Sequence, residues 1–142
     1  MDIIVDIDGT IADNAHRQSV LDTEPKDWNA FFAGCMDDLP IWPILLLIES
    51  FCGGNVLLVT GRSERYRALT ISWLEKYIIN FHELYMRKEG DFRPDHIVKE
   101  EILINQIRPK YDPELAIDDR QCVVDMWRRN GLICLQNEPK II

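Results

Sequence analysis

The chain has 142 residues and a mass of 16.6 kDa, a length typical of one domain, and its apolar content of 46% excludes a disordered chain. The 16 basic and 24 acidic residues leave a net charge of −8. This balance excludes a protein that coats nucleic-acid duplexes through a broad basic face, but it allows a small basic pocket that receives one phosphate.

Five short apolar runs predict strands, at 3–7, 56–59, 84–86, 115–117 and 132–135. They are apolar on both sides, as parallel strands are when both faces of the sheet are covered. Segments of helical spacing between them predict helices at 43–51, 64–77, 95–107 and 120–130. Gly53-Gly54 and Asn130-Gly131 are predicted to cap two of these helices.

This alternation predicts an α/β fold, with a parallel sheet of about five strands and helices on both faces. Sites in such folds lie at the carboxyl ends of the strands. One segment interrupts the alternation directly after the first strand: residues 13–42 include Trp28, Phe31 and Phe32 but no clear strand. We interpret it as a small, partly helical, cap-like insertion over the mouth of the site, within a single domain over 1–142. A peripheral helical hairpin without a role in binding is the alternative.

The four cysteines have neither a C-x-x-C pattern nor the spacing of a zinc site. We expect Cys35, Cys52, Cys122 and Cys134 to be buried, reduced thiols of a cytoplasmic protein. No apolar run approaches the roughly 18 residues of a membrane span, and no basic segment of a secretion signal is present. We therefore expect no membrane association, and nothing in the sequence requires an obligate protein partner.

Acidic residues follow two of the predicted strands. Asp6 lies within an apolar run, where a charge is costly unless it is paired or bound to a metal. Asp8 faces the same way in extended backbone, and Gly9 allows a sharp turn. Taken alone, each acidic pair is typical of a turn or a helix N-terminus. If the strands are neighbours, however, Asp118 and Asp119 join this pair, and the mutual repulsion of the carboxylates predicts a divalent cation. Oxygen ligands without His or Cys favour Mg²⁺.

Basic residues complete the predicted site. Thr60-Gly61-Arg62 lies at a predicted strand-to-helix turn, where a hydroxyl, amides and a guanidinium can bind phosphate. Lys99 follows Asp95 by four positions, a spacing that by itself predicts an exposed ion pair on a helix. Six basic residues could meet a nucleic-acid end or could form a solvated surface: Arg17, Arg62, Arg65, Arg67, Arg87 and Lys88. The tryptophans are expected in the core, and Trp28, in the insertion, is the one to test as a stacking platform.

These motifs, in this order, resemble those of the haloacid dehalogenase (HAD) superfamily of aspartate-nucleophile phosphatases. The four motifs correspond to Asp6-Ile7-Asp8-Gly9-Thr10, Thr60-Gly61-Arg62, Lys99 and Asp118-Asp119. Stretches at 85–87, 97–102 and 116–129 are similar to the 3′-phosphatase domain of phage polynucleotide kinase-phosphatases. The chain contains no G-x-x-x-x-G-K-[ST] motif, so the resemblance implies a phage-like phosphatase without a kinase half.

The resemblance implies a Rossmann-like HAD fold and a role for each motif. Asp6 would be the nucleophile. Asp8 would be the general acid that protonates the leaving oxygen and then activates water, and we expect burial and neighbouring carboxylates to raise its pKa. Mg²⁺ would be held by the Asp6 carboxylate, the main-chain carbonyl of Asp8 and Asp118, with Asp119 as a further ligand or beside one.

The same resemblance implies residues that bind or support the substrate. The phosphate-binding residues would be Thr60, Gly61, Arg62 and Lys99. Arg17 and Asp95 also fall at positions that the phosphatase domain uses, with Asp95 supporting Lys99.

The implied function is Mg²⁺-dependent removal of 3′-phosphates from DNA or RNA ends. A phosphatase of free mononucleotides would use the same catalytic groups under a tighter cover. A third hypothesis is a phospho-accepting receiver domain, which also combines an acidic cluster with Thr and Lys on a parallel sheet. Asp8 argues against the receiver, because a receiver needs a slow phosphoaspartate and has no use for an acid two residues beyond the acceptor.

Overall fold

The computed structural model describes residues 1–51 and 53–138. Its strands are β1 (Ile3–Val5), β2 (Ala12–Asp13), β3 (Leu39–Pro40), β4 (Val56–Ser63), β5 (Glu83–Arg87), β6 (Leu115–Asp118) and β7 (Ile133–Gln136). Its α-helices are α1 (Trp28–Ala33), α2 (Trp42–Glu49), α3 (Arg67–Lys76), α4 (Asp95–Ile102) and α5 (Gln121–Arg129). Short 3₁₀ helices cover Ala15–Asp22, Cys35–Asp37 and Glu64–Tyr66, and a π-helical turn, Leu103–Ile107, continues α4.

Five strands form one parallel sheet in the order β5-β4-β1-β6-β7. In its centre, Ile4 of β1 lies opposite Leu57 of β4 on one side and Ala116 of β6 on the other. The strand order therefore reverses at β1, and ligands of α/β folds bind at the carboxyl end of such a switch point. The predicted five-stranded parallel α/β fold is confirmed.

Side chains of β1 alternate between the two faces of the sheet, as period-2 backbone requires. Ile4 packs in a cluster with Trp127 and other residues of α4 and α5. Ile3 and Val5 pack on the opposite face with Trp73 and other residues of α2 and α3. Trp73 and Trp127 have no exposed surface, so burial of large apolar surface holds a layer of helices on each face.

Of the two predicted glycine caps, one is present in the structure and the other is not. Gly131 ends α5 as predicted, because its φ of +87° lets its N–H reach Arg128 O at 3.0 Å while the N–H of Leu132 reaches Trp127 O at 3.1 Å. This pair of hydrogen bonds is a Schellman motif. The cap predicted at Gly53-Gly54 is wrong, because α2 ends at Glu49 and its C-cap is Ser50.

The segment after β1 is closed by a small antiparallel pair of strands. Ala12 of β2 lies opposite Pro40 of β3, and Asp13 opposite Leu39. Between these strands lie the first two 3₁₀ helices and α1, and the segment 14–38 is called the insertion below. The pairing brings both ends of the insertion to the carboxyl end of β1.

Several expectations about burial are corrected. Trp28 and Trp42 are 42% and 53% exposed, so they are not core residues. Cys35 and Cys134 are buried free thiols, but Cys122, near the start of α5, is exposed. Cys52 lies outside the described residues. Within 1–51 and 53–138, none of the helices has the length and apolar character needed to cross a bilayer.

Candidate active site

Three carboxylates converge where β1 and β6 end. Asp6 follows β1, Asp118 ends β6 and Asp119 follows it, and one oxygen from each lies within 4.8 Å of the other two. All three residues are buried, at 5%, 1% and 3% exposure. The neighbouring positions of β1 and β6 in the sheet thus bring together the acids that the sequence places in separate motifs.

Hydrogen bonds orient these carboxylates. The hydroxyl of Thr10 donates to Asp6 Oδ2 at 3.0 Å, and the indole of Trp127 donates to Asp118 Oδ2 at 3.1 Å. Asp119 Oδ1 is buried, yet it has no hydrogen-bond partner among the described residues. A buried carboxylate oxygen without a donor is costly, and it is the kind of oxygen that binds a hard cation.

Lys99 of α4 lies among these acids. Its Nζ donates to Asp6 Oδ1 at 2.8 Å and to Asp118 Oδ2 at 2.9 Å, and the residue is 2% exposed. The exposed ion pair predicted from helical spacing is therefore wrong. Burial alone would lower the pKa of Lys99, but the charges of Asp118 and Asp6 outweigh it and raise this pKa. Lys99 is accordingly a fixed positive charge.

The acids repel one another despite this lysine. Burial, followed by the charge of Asp118, raises the pKa of Asp6 well above its ordinary value. The same two causes raise the pKa of Asp119 to about 6. One lysine therefore does not balance the cluster, and a set of buried carboxylate oxygens fits Mg²⁺ by charge and by ligand type.

Asp8 faces a different environment from Asp6. Its carboxylate accepts hydrogen bonds from Arg62 Nε at 2.9 Å and Nη2 at 2.8 Å, and from Arg17 Nη2 at 2.7 Å. Burial would raise the pKa of Asp8, but Arg62 and then Arg17 outweigh burial and lower this pKa to about 2. The predicted rise is wrong because two guanidinium groups, and not carboxylates, surround Asp8.

Thr60 and Arg62 lie on β4, which runs on to Ser63, and not at a strand-to-helix turn. Both are fully buried, and of the motif only Gly61 lines the cavity of the site. Thr60 Oγ1 accepts a hydrogen bond from the backbone N–H of Arg62 at 3.1 Å, and Arg62 Nη1 donates to Thr70 at 3.1 Å. Arg62 thus positions Asp8 in this structure, and the phosphate-binding roles of Thr60 and Arg62 stay predictions.

Arg17 connects the insertion to Asp8. It is 3% exposed, and its guanidinium donates to Asp38 through Nε at 2.8 Å and Nη2 at 2.6 Å. It also donates to the backbone carbonyl of Phe31 at 2.8 Å. Asp38, which is fully buried, was missed by the sequence analysis, since an acid in an irregular segment gives no periodic signal of burial.

Asp95, at the start of α4, organises two arginines. Its Oδ1 accepts a hydrogen bond from Arg87, and its Oδ2 accepts one from Arg120 at 2.6 Å. Arg87 Nε also donates to the carbonyl of Gly61 at 2.8 Å. After the charges of Asp118 and Asp6, that of Asp95 also raises the pKa of Lys99, so the expected support of Lys99 by Asp95 stays a prediction.

These groups open into one cavity of about 570 Å³. From the predicted site it is lined by Asp6, Asp8, Gly61, Asp95, Lys99 and Asp119. Of the six basic candidates, Arg65, Arg87 and Lys88 line it. Arg67 instead pairs with Glu64 at 2.7 Å. The insertion contributes Trp28, Asn29, Phe31 and Phe32 to the lining, so it forms part of the wall of this cavity, and its role in binding stays a prediction.

The chain is similar in sequence to known proteins. Residues 1–140 match the family of the polynucleotide kinase PNKP phosphatase domain. The chain is 29% identical over 127 residues to a "Putative bifunctional polynucleotide kinase/RNA ligase" of Autographa californica nuclear polyhedrosis virus, over 89% of this chain and 17% of the viral protein.

Solved structures agree with this match. In a structure of a Pnkp1/Rnl/Hen1 complex, one chain is similar with a TM-score of 0.85 and 33% identity, over 99% of this chain and 47% of that chain. A hydrolase from Streptococcus pneumoniae TIGR4 shares the fold, with a TM-score of 0.59 and 18% identity over 97% of this chain and 92% of its own. The present chain thus spans less than half of the first two relatives.

Proposed function

Because the chain belongs to the family of the polynucleotide kinase PNKP phosphatase domain, in the HAD superfamily, we propose that it is a Mg²⁺-dependent phosphatase that removes 3′-phosphates from nucleic-acid ends. The observation that carries the proposal is the convergence of Asp6, Asp118 and Asp119 within 4.8 Å, with Lys99 bonded to two of them. That arrangement places a carboxylate nucleophile beside the charge of Lys99 and beside oxygens that could hold Mg²⁺, and phosphoryl transfer requires such positive charge around the phosphoryl group.

The proposed reaction uses Asp6 and Asp8 in two steps. A carboxylate oxygen of Asp6 bonds to phosphorus while the bond from phosphorus to the ester oxygen breaks, and the leaving oxygen takes a proton from Asp8. Water then attacks the phosphorus of the aspartyl-phosphate and gives a proton to Asp8. The bond between phosphorus and the Asp6 oxygen breaks, so that phosphate is released and the Asp6 carboxylate is restored.

Arg62 and Arg17 oppose the protonation of Asp8 that the first step needs. In the free protein Asp8 is ionised at neutral pH, since its pKa is lowered to about 2. A phosphate group beside it adds negative charge, which favours the protonated carboxyl. The first step therefore requires the bound ester to offset the two guanidinium groups at Asp8, and after that step the ionised Asp8 can accept a proton from water.

Mg²⁺ would be held by the carboxylates of Asp6, Asp118 and Asp119. The resemblance implies that Asp8 would contribute its main-chain carbonyl, and its carboxylate is bonded to Arg17 and Arg62. The ion supplies positive charge to the phosphoryl oxygens when bound. Lys99 supplies a second such charge, and the backbone at Gly61 lies beside the same cavity.

The choice of a nucleic-acid end over a free mononucleotide is supported by the family and by the relatives' names, which include a polynucleotide kinase and an RNA ligase. The receiver-domain hypothesis is disfavoured by the family match. Only a phosphatase activity is proposed for this chain, whose sequence contains no phosphate-binding G-x-x-x-x-G-K-[ST] motif. A cytoplasmic location and independence of protein partners stay predictions.

The test is phosphate release from a matched set of substrates. These are 3′- and 5′-phosphorylated DNA and RNA oligonucleotides and the corresponding mononucleotides, each assayed with Mg²⁺ and with EDTA. We expect the highest kcat/KM for 3′-phosphorylated ends, no release in EDTA and none from Asp6→Asn, whereas Asp125→Asn, an exposed acid on α5, should behave as the wild type. Equal or faster turnover of mononucleotides would support the alternative, and full activity of Asp6→Asn would refute the proposal.

A further inference from the structure

The cavity that contains Asp6 and Lys99 has an aromatic wall that the phosphatase chemistry does not use. Trp28 and Phe32 of α1 are stacked, with ring centroids 6.0 Å apart and an interplanar angle of 24°. The ring of Phe32 lies 5.6 Å from that of Tyr66. Trp28 remains 42% exposed, so a large flat apolar surface faces the cavity.

This wall is fixed relative to the catalytic residues. The guanidinium of Arg17, which bonds to Asp8, lies 4.2 Å from the ring centroid of Phe31. The hydroxyl of Tyr66 donates to Asn29 Oδ1 at 2.7 Å, which attaches α1 to the residues after β4. An aromatic surface held in this way is suited to binding a rigid ligand, because little conformational entropy is lost on contact.

Positive charge lies beside the same wall. Arg65 and Lys88 line the cavity, and neither forms an ion pair with any residue of 1–51 or 53–138. Phe92, which lines the cavity from the segment between β5 and α4, is 93% exposed. The cavity thus combines exposed aromatic faces with unpaired basic side chains, and both features bind single-stranded nucleic acid.

We propose that Trp28 forms a nucleobase subsite. The base of the terminal nucleotide, whose 3′-phosphate lies at Asp6, stacks on the indole of Trp28, which also stacks with Phe32. Lys26 Nζ lies 6.0 Å from the centroid of the same indole and adds positive charge beside it. The preceding backbone phosphate meets Arg65 or Lys88. This inference rests on the proposed function, and it identifies the substrate as an unpaired, base-bearing end of any sequence, since every base offers a flat π-face.

The size of the cavity agrees with this assignment. A volume of about 570 Å³ falls within the roughly 300–1,000 Å³ of pockets that enclose whole organic ligands. A bare phosphate would occupy only the part of the cavity that contains Asp6 and Lys99. The aromatic part is therefore suited to a ligand with a large apolar face.

The test compares two 3′-phosphorylated oligonucleotides that differ only in the terminal nucleotide, which carries a base in one and is abasic in the other. We expect the wild type to favour the base-bearing end in kcat/KM by about tenfold, the order of one stacked base. Trp28→Ala should abolish this preference, mainly through a higher KM, and Trp28→Phe should restore most of it. Trp42→Ala, which removes an exposed tryptophan of α2 that does not line the cavity, should retain the full preference.

An unchanged preference in Trp28→Ala would overturn the subsite, and if activity on both oligonucleotides also fell equally, Trp28 would have a structural role. A binding measurement separates this inference from the proposed function. If the wild type releases phosphate from neither oligonucleotide, the proposed function fails. The Kd of each oligonucleotide for Asp6→Asn, with and without Trp28→Ala, then still decides whether Trp28 binds the base.

Discussion

Arg62 holds the carboxylate of Asp8 through two parallel hydrogen bonds, from Nε to Oδ2 at 2.9 Å and from Nη2 to Oδ1 at 2.8 Å. This fork geometry is specific to arginine, because lysine offers a single point charge. Arg62 is fully buried and projects from β4, so the pair connects the second motif of the chain to the first. The arginine therefore fixes the orientation of the proposed acid and base.

Arg62→Lys should lower kcat by on the order of 100-fold while KM changes little. Lysine keeps the charge but loses the bidentate contact, and a misplaced catalytic group costs about this factor. Steady-state kinetics on a 3′-phosphorylated oligonucleotide measure the effect. The control is Arg108→Lys, because Arg108 is exposed and lies outside both motifs. A rise in KM at constant kcat would show instead that Arg62 binds substrate.

Asp38→Asn should destabilise the protein by about 3–5 kcal/mol, the usual cost of removing one partner from a buried ion pair. The substitution weakens the pair in which Asp38 accepts from Arg17 at 2.8 Å and 2.6 Å, and it leaves a buried guanidinium undercompensated. Urea unfolding measures the change in the free energy of unfolding, as a shift of the midpoint with an unchanged m-value. Asp37→Asn, at the preceding position, should shift the midpoint little, and equal effects of the two substitutions would contradict this account.

The parts of the site that sequence predicts are those set by the sheet. Because Asp6 and Asp118 follow strands with clear apolar runs, the parallel order of the strands is enough to bring them together. The contacts of Arg17, Arg62 and Asp38 were not predictable in the same way. Those of Arg17 and Asp38 depend on how an irregular segment packs, and a buried arginine such as Arg62 has the same sequence signature as an exposed one until its partner is known.

Gly9→Ala should cost more stability than the same change at Gly131. Both glycines have positive φ, +81° and +87°, which costs alanine on the order of 1 kcal/mol. A Cβ on Gly9 would also lie 2.1 Å from Asp119 Oδ2, whereas one on Gly131 meets nothing within 4 Å among the described residues. The difference between the two urea midpoints isolates the steric contact with Asp119, and equal losses would show that this carboxylate moves away freely.

Without metal, the protein should become more stable as the pH is lowered from about 7.5 to 5.5. The pKa of Asp119 is raised from 3.8 to about 6 in the folded state, and that of Asp6 is raised in the same direction. The folded state therefore binds protons in this range that the unfolded state does not, and stability falls as the pH rises. Asp8 does not oppose the trend here, because its lowered pKa matters only below about pH 4. In EDTA, we expect the Tm to rise by several degrees on acidification.

Two further measurements, with Mg²⁺ and with Asp119→Asn, test whether repulsion among the buried carboxylates causes this pH dependence of stability. Mg²⁺ added near neutral pH should raise the Tm, because it binds the folded carboxylates, and it should flatten the pH trend, because it keeps them ionised. Asp119→Asn removes one of the repelling charges, so in EDTA it should raise the Tm near neutral pH and weaken the response to Mg²⁺. A metal-free Tm that rises with pH over this range, or an Asp119→Asn variant with an unchanged Mg²⁺ response, would show that the repulsion among these acids does not govern the stability of the site.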